Sequence, residues 1–295
     1  MQTCPTSVAA FPGKNLKTDE REILTGLLAD RKYLPSKYFY DPTGSSLFER
    51  ITRLDEYYPS RTEKSILKRH ARKLMHGHCS SLVELGSGDC SKISLLLQAL
   101  PPGKLERLTY VPFDVSRTAV EGTKCELEKN FGPIDISGIV ADFMEQIHLT
   151  ADYEHRVFCF FGSTIGNLAR KDALRFVKTL GTLLRSGERL LLGLDMAKDK
   201  YILEKAYNDR DRVTASFNKN ILNVVNNVID ADFNPDGFRH HAFFNEAKQR
   251  IEMHLVALRN MTVTSPLFGR DLQIRKEESI LTENSHKFTS KHIDM

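Results

Sequence analysis

The segment VELGSGDCSK (83–92) sets two glycines, Gly86 and Gly88, between an apolar run ending at Leu85 and a helical pattern opening near Ser91. Glycine at such a turn lets the backbone take positive φ or approach a ligand closely. A dinucleotide fingerprint wants a third glycine three residues after the second; position 91 is Ser, which disfavours a pyrophosphate ligand. Taken alone, the segment also fits a strand-to-helix turn that holds nothing. Asp114 ends a second apolar run, where a carboxylate can accept bonds from both hydroxyls of a ribose. Asp142 and Phe143 follow a third, where an acid can meet an adenine amino group and a ring can cover its face. One aspartate at a strand end is more often a turn former or helix cap. Recurrence at the ends of three successive strands suits an adenosyl group without a pyrophosphate.

A fourth run ends in FFGSTIGNL (160–168). Gly162 and Gly166 expose backbone there, and Ser163, Thr164 and Asn167 supply donors at the same rim. A substrate-contacting loop and an ordinary polar βα connection fit these residues equally well.

The elements that must carry these residues follow from periodicity. Strands are expected at SLVEL (81–85), LTYVPF (108–113), DISGIV (135–140), RVFCFF (156–161) and RLLLGL (189–194), with helical spacing in SKISLLLQAL, SRTAVEGTKCELEKN and KDALRFVKTLGTLL between them. Strand–helix alternation of this kind predicts a doubly wound parallel sheet with ligands at the carboxyl ends of its strands. The first 75 residues read as helices and loops. TDEREILTGLLAD has Thr18 as its cap, and a second helix opens near Ser60, because Pro59 breaks what precedes it. After Asp195 the alternation stops: 196–230 reads as helical, and QRIEMHLVAL and MTVTSPLF suggest an antiparallel sheet. An inserted α+β lobe is the simplest account. The domains are therefore 1–195, N-terminal helices plus the cofactor-binding sheet; 196–275, the inserted lobe; and 276–295, a return to the first domain.

Composition excludes several classes. The 295 residues carry 42 basic and 38 acidic side chains, a net charge of +4 without a basic block, so no nucleic-acid surface is expected. Apolar runs fall short of the ~20 residues that span a bilayer, and the N-terminus MQTCPTSVAAFPGKNLK lacks the apolar core of a signal peptide. The five cysteines (Cys4, Cys79, Cys90, Cys125, Cys159) include no CxxC pair and read as reduced cytosolic thiols. No metal is expected: HGHC (76–79) lacks a second ligand pair, and the adjacent His240 and His241 point different ways in a helix or a strand.

LPSKYFYDPTGSSLFERITRLDEYYPSRTE, VELGSGDCSK, FFGSTIGNL, VTASFNKNIL, RIEMHL and LTENSHKF, in order from about residue 34 to 288, resemble the signature segments of the histidine-specific methyltransferases of ergothioneine biosynthesis. The resemblance implies a Rossmann-like class I methyltransferase sheet with an inserted α+β substrate-binding lobe. It also implies three successive methyl transfers from S-adenosyl-L-methionine to the α-nitrogen of L-histidine, giving hercynine and S-adenosyl-L-homocysteine. A cytoplasmic monomer is expected.

Carried over by motif, Tyr40 resembles the tyrosine between methyl donor and substrate amine. Phe48 and Tyr57 resemble pocket residues around the histidine. Gly86, Lys92, Asp114, Asp142 and Phe143 resemble cofactor contacts, with Tyr40 beside them. Gly162 and Asn167 resemble substrate contacts; Asn167 with Tyr207 would hold the carboxylate, Met253 would line the side-chain pocket, and Glu283 and Ser285 would bond the imidazole nitrogens. Methyl transfer to an amine is an in-line displacement, so the site must position a neutral nitrogen more than activate it. The sequence departs from the family at Pro42, beside Tyr40, and at Cys90, beside the glycine turn. It also ends at Met295, where family members continue for roughly another helix and a strand pair; the C-terminal strands of the sheet are therefore expected to be missing. A nicotinamide-dependent oxidoreductase and a binding protein without turnover are the rival readings.

Overall fold

The computed structural model describes residues 9–10, 16–132 and 134–293. Two compact units divide the chain. The first comprises Ala9–Ala10, Arg61–Ile165 and Arg170–Leu194; the second comprises the described residues of Lys14–Ser60, Gly166–Ala169 and Asp195–Met295.

The first unit is built on a parallel sheet of β1 (Ala9–Ala10), β2 (Ser81–Leu85), β3 (Thr109–Asp114), β4 (Asp135–Ile136), β5 (Ile139–Val140), β6 (Arg156–Phe160) and β7 (Arg189–Leu192). The strand order is β1-β5-β3-β2-β6-β7, with β4 also on β3. Every residue of β2 and β6 is buried, the mark of strands covered on both faces. The crossover helices include Ser91–Leu97, Arg117–Phe131 and Arg170–Leu183. Order reverses on either side of β2, so the loops at the carboxyl ends of β2 and β6 form the switch point where α/β sheets bind ligands.

DISGIV (135–140) makes two short strands rather than one. The first pairs Thr109 and Tyr110, the second Phe113 and Asp114, and the break lies alongside Val111 and Pro112. Proline has no N–H to give the ladder, so the pairing is interrupted there and resumes in the same register. Gly138 fills the break against Val120, where a methyl group would collide.

The second unit combines a three-stranded antiparallel sheet with helices. Its strands are β8 (Phe238–Asn245), β9 (Arg250–Ala257), β10 (Met261–Val263), β11 (Leu272–Ile274) and β12 (Ser279–His286), in the orders β12-β9-β8 and β10-β11. The span 196–230 separates into the helices Lys200–Lys205 and Val213–Ile229. The buried Asp209, in the linker between them, holds the start of the second helix: its carboxylate accepts from the backbone N–H of Val213 at 2.7 Å and of Thr214 at 2.8 Å. Thr18 lies inside the helix Leu16–Leu27. Pro59 sits in the first turn of the helix Tyr58–Leu74, where the missing N–H has no helical partner to lose.

The domain division expected from the sequence differs from these units at both ends. The described residues of Lys14–Ser60 belong with the second unit because Phe39 stacks on Phe217 of its long helix, ring centroids 4.5 Å apart. There, too, Asp41 takes a 2.7 Å bond from Asn220 while capping the helix Pro42–Thr52. The described residues from 276 onward do not return to the first unit, because β12 is hydrogen-bonded along its length to β9. Pairing across more than twenty residues leaves no periodicity signal, which is why sequence pattern missed it.

Among the described residues no helix is long and apolar enough to cross a membrane. Cys79, Cys90, Cys125 and Cys159 are free, and Cys4 lies outside the described residues. No group of three or more His, Cys, Asp or Glu side chains is placed to hold a metal ion among them.

Candidate active site

The first unit brings the glycine turn and the strand-end acids together. Gly86 and Gly88 both take positive φ, 70° and 48°. Gly88 N–H donates to Asp114 Oδ2 at 3.3 Å, and Ser116 N–H donates to Asp114 Oδ1 at 2.9 Å. Burial raises the Asp114 carboxyl, and these backbone donors oppose that rise. The ring of Phe143 lies against Gly86, where a methyl group would stand 3.9 Å from it. Asp142 caps the short helix Phe143–Gln146 through a 2.9 Å bond from Met144 N–H. A backbone-held carboxylate, an open glycine turn and an aromatic edge fit the ribose and adenine of a nucleoside.

Beneath the turn, Glu84 of β2 is almost fully buried and accepts from Tyr110 Oη at 2.5 Å; burial pushes its carboxyl up to about 8. A second carboxylate organises the β6 rim. Glu63 pairs with Lys92 at 2.8 Å and accepts the Gly162 N–H at 2.9 Å on both oxygens. Gly193 lies so close to that carboxylate that a methyl group would collide with it. The turn after β6 then runs through Gly162 at φ 74° and Ser163 at φ 55°. A left-handed serine is a strained choice of the kind found at ligand clamps.

The second unit collects the remaining sequence-expected residues. Tyr40 meets Phe48 edge-on at 5.7 Å, Phe48 meets Tyr57 at 6.3 Å, and Tyr57 meets Tyr207 at 6.1 Å, an unbroken aromatic chain. Glu283 lies across from Met253 in the β12–β9 ladder, and the register shifts at Thr282. Two residues on, with the alternation of a strand, Ser285 shares its face. Asn167 donates to Glu283 Oε1 at 2.9 Å, and Tyr207 Oη donates to Ser285 Oγ at 2.8 Å. The two residues expected at the substrate carboxylate are thus bonded to the two expected at the imidazole. Burial pushes the Glu283 carboxyl up to about 7, against the pull of Lys287 and Asn167.

Behind this cluster lie residues that motif reasoning passed over. Lys287, 1% exposed, donates to Ser285 Oγ at 2.9 Å and Tyr207 Oη at 3.2 Å and pairs with Asp195 at 2.9 Å. Asp195 also accepts from Tyr58 Oη at 2.6 Å and Lys198 Nζ at 2.5 Å. Burial pushes the Asp195 carboxyl up, but Lys287, Lys198 and Tyr58 outweigh it and hold it below its usual range. Phe217, in contact with Tyr40 at 6.0 Å and Phe48 at 5.8 Å, was missed as well. Tyr58 and Glu63 lie in EYYPSRTE, Phe217 in VTASFNKNIL and Lys287 in LTENSHKF, all segments that carry the family resemblance, but only the fold gives them partners. The two adjacent histidines serve structure: His240 bonds Asn218 at 2.8 Å and the Tyr207 carbonyl at 2.8 Å, and His241 stacks on Phe243.

A doubly wound sheet with a glycine turn beside a strand-end acid is the frame of an S-adenosyl-L-methionine-dependent methyltransferase, and that is the class of this chain. The chain belongs to the histidine-specific, SAM-dependent methyltransferase family, whose model matches residues 19–295. It is 40% identical over 270 residues to the histidine N-alpha-methyltransferase of Mycobacterium tuberculosis, covering 91% of this chain and 84% of that protein. It is 30% identical over 260 residues to ergothioneine biosynthesis protein 1 of Neurospora crassa, covering 81% of this chain and 29% of that protein. A more distant relative, an L-tryptophan methyltransferase of Psilocybe serbica, is 26% identical over 303 residues, covering 92% of this chain and 84% of that protein.

Proposed function

We propose that the chain methylates the α-amino nitrogen of L-histidine three times in succession, as a cytoplasmic monomer, giving hercynine for ergothioneine biosynthesis. S-adenosyl-L-methionine supplies an electrophilic methyl group; each transfer forms one N–C bond, breaks one S–C bond, releases one proton from the nitrogen and leaves S-adenosyl-L-homocysteine. The observation that carries this reading is the polar cluster of the second unit. Glu283, Ser285, Asn167 and Tyr207 supply one carboxylate and three neutral hydrogen-bonding groups beside the apolar Met253.

In this reading Glu283 accepts an imidazole N–H and Ser285 meets the other ring nitrogen. Asn167 and Tyr207 take the substrate carboxylate, exchanging part of their present bonds for it. Phe48, Tyr57 and Met253 enclose the ring, and Tyr40 orients the amine lone pair. Gly86, Lys92, Asp114, Asp142 and Phe143 bind the adenosyl part, Asp114 accepting from the ribose, and Gly162 adds a backbone contact to the amino acid. A site built around polar groups rejects analogues lacking them strongly, and this separates histidine from other amino acids.

The test is product mass after incubation with S-adenosyl-L-methionine and a panel of amino acids that includes tryptophan. A gain of three methyl groups on histidine alone is expected. Methylation of tryptophan in preference to histidine would overturn the substrate reading.

A further inference from the structure

β12 does not run evenly along β9. Ile280 pairs with Leu255 and Leu281 with His254, but Glu283 rather than Thr282 pairs with Met253, so Thr282 is the extra residue of a β-bulge. Facing pairs share one side of a sheet. An unbroken ladder would carry Thr282 to Met253 and Glu283 to Glu252, moving Glu283 to the opposite face. It would then stand directly across from the Glu252 carboxylate, an unfavourable pairing. The bulge instead turns Glu283 and Ser285 onto the side that carries Met253 and Ile251.

A bulge disrupts the ladder locally, so other groups must hold the extra residue. Asn218 of the helix Val213–Ile229 is fully buried and reaches it. Thr282 Oγ1 lies 2.6 Å from Asn218 Oδ1 and 3.0 Å from the Met253 carbonyl, the two acceptors for its proton. Asn218 Nδ2 donates to the His254 carbonyl at 3.1 Å and to His240 Nδ1 at 2.8 Å. An amide nitrogen only donates, so His240 carries its proton on Nε2 and gives it to the Tyr207 carbonyl at 2.8 Å. One buried amide thus ties the bulge before Glu283 to the backbone of Tyr207. An aspartate at this position would lose both donated bonds, and a leucine would lose the accepted one as well.

We propose that Asn218 is a positioning residue for the methyl-transfer reaction: through the Thr282 hydroxyl it holds the bulge that turns Glu283 toward the substrate. The inference rests on the histidine reading and deepens it. Neither Asn218 nor Thr282 need touch the substrate; both act through the placement of Glu283.

The test is kcat/KM for L-histidine at saturating S-adenosyl-L-methionine, compared across variants at Thr282 and Asn218. Thr282→Val removes the hydroxyl at nearly constant volume and is expected to lower kcat/KM on the order of 10-fold, the range for a lost bond that leaves a buried acceptor unmet. Thr282→Ser keeps the hydroxyl and loses a methyl group, so it should stay within about threefold of the wild type, because the bond survives. A packing role alone would reverse that order. Asn218→Leu should fall at least as far as Thr282→Val; if it does not fold, the two Thr282 variants decide the matter. In a Glu283→Ala background, Thr282→Val should cost less than about twofold more, since the carboxylate it positions is gone. The KM for S-adenosyl-L-methionine should stay within about twofold in the Thr282 variants.

A wild-type kcat/KM in Thr282→Val would overturn the inference. A Thr282→Ser loss as large as that of Thr282→Val would assign the position to packing and overturn it too. So would a Thr282→Val cost that persists undiminished in the Glu283→Ala background, or a parallel rise in the KM for S-adenosyl-L-methionine. In each of these cases the wild-type chain still turns histidine over, and the substrate reading stands. If the wild-type chain transfers no methyl group to histidine, that reading fails, and this inference falls with it.

Discussion

The two units hold their functional carboxylates in opposite ways. In the first, Asp114 is gripped by backbone N–H groups of Gly88 and Ser116, both supplied by turns at the ends of adjacent parallel strands. In the second, Glu283 and Asp195 are paired with side chains: Asn167 for the former, and Lys287, Lys198 and Tyr58 for the latter. Backbone donors come with the fold and tolerate change in neighbouring side chains. A side-chain network can be retuned one substitution at a time. Under the proposed function, the difference suits a common methyl donor bound by the first set of residues and a selective amino-acid site built from the second.

That contrast can be broken most forcefully at Glu283. Glu283→Ala is expected to raise the Michaelis constant for histidine on the order of 100-fold or more, since a site built to pair a polar group loses its partner. Affinity for S-adenosyl-L-methionine should stay within about twofold, because only neighbour packing changes. Steady-state kinetics alongside calorimetry checks both halves, and a parallel loss of cofactor binding would erase the division of labour. Asp114→Ala should do the reverse, weakening the methyl donor by about 1–3 kcal/mol, as expected for a lost bond to a charged group, with histidine affinity preserved. Unaltered titration of the methyl donor would remove Asp114 from the site.

A third variant sharpens the comparison through pH. Burial raises the Glu283 carboxyl from 4.5 to about 7, so between those values the folded chain binds more protons there than the unfolded chain does. The group therefore favours folding below pH ~4.5, and that contribution is lost as pH rises through ~7. Glu283→Gln removes the penalty. Its melting temperature should match the wild type near pH 4.5 and exceed it above pH 7, by about 2 kcal/mol in stability once partial solvent access is allowed for. A constant difference across that range would mean the carboxyl titrates normally. The smallest effect is expected at Glu63, whose carboxylate joins Lys92 to the Gly162 N–H. Glu63→Gln keeps one acceptor oxygen and loses the ion pair. Its expected cost is about 1 kcal/mol in cofactor affinity, read by the same titration.

Residues fixed by local pattern were legible in the chain, and those fixed by distant partners were not. Gly86, Asp114 and Phe143 announce themselves because each follows an apolar run, and the structure brings their neighbourhoods together. The split of DISGIV was hidden because its cause, Pro112, lies on a different strand. The allocation of Lys14–Ser60 to the second unit was hidden for the same reason: Phe39 finds Phe217 and Asp41 finds Asn220 far along the chain. Lys287 read as one more lysine near the end of a motif; its burial and its three partners exist only once β12 lies against β9 and Asp195 approaches from another loop.

The sequence by itself determined the alternation of strands and helices, the glycine turn and the acids at the strand ends, because these depend on residue type within a few positions. The tertiary structure alone decided which carboxylates are buried and which ammonium faces them. Burial and hydrogen-bond saturation are properties of groups converging from remote segments, and no short stretch of chain carries them.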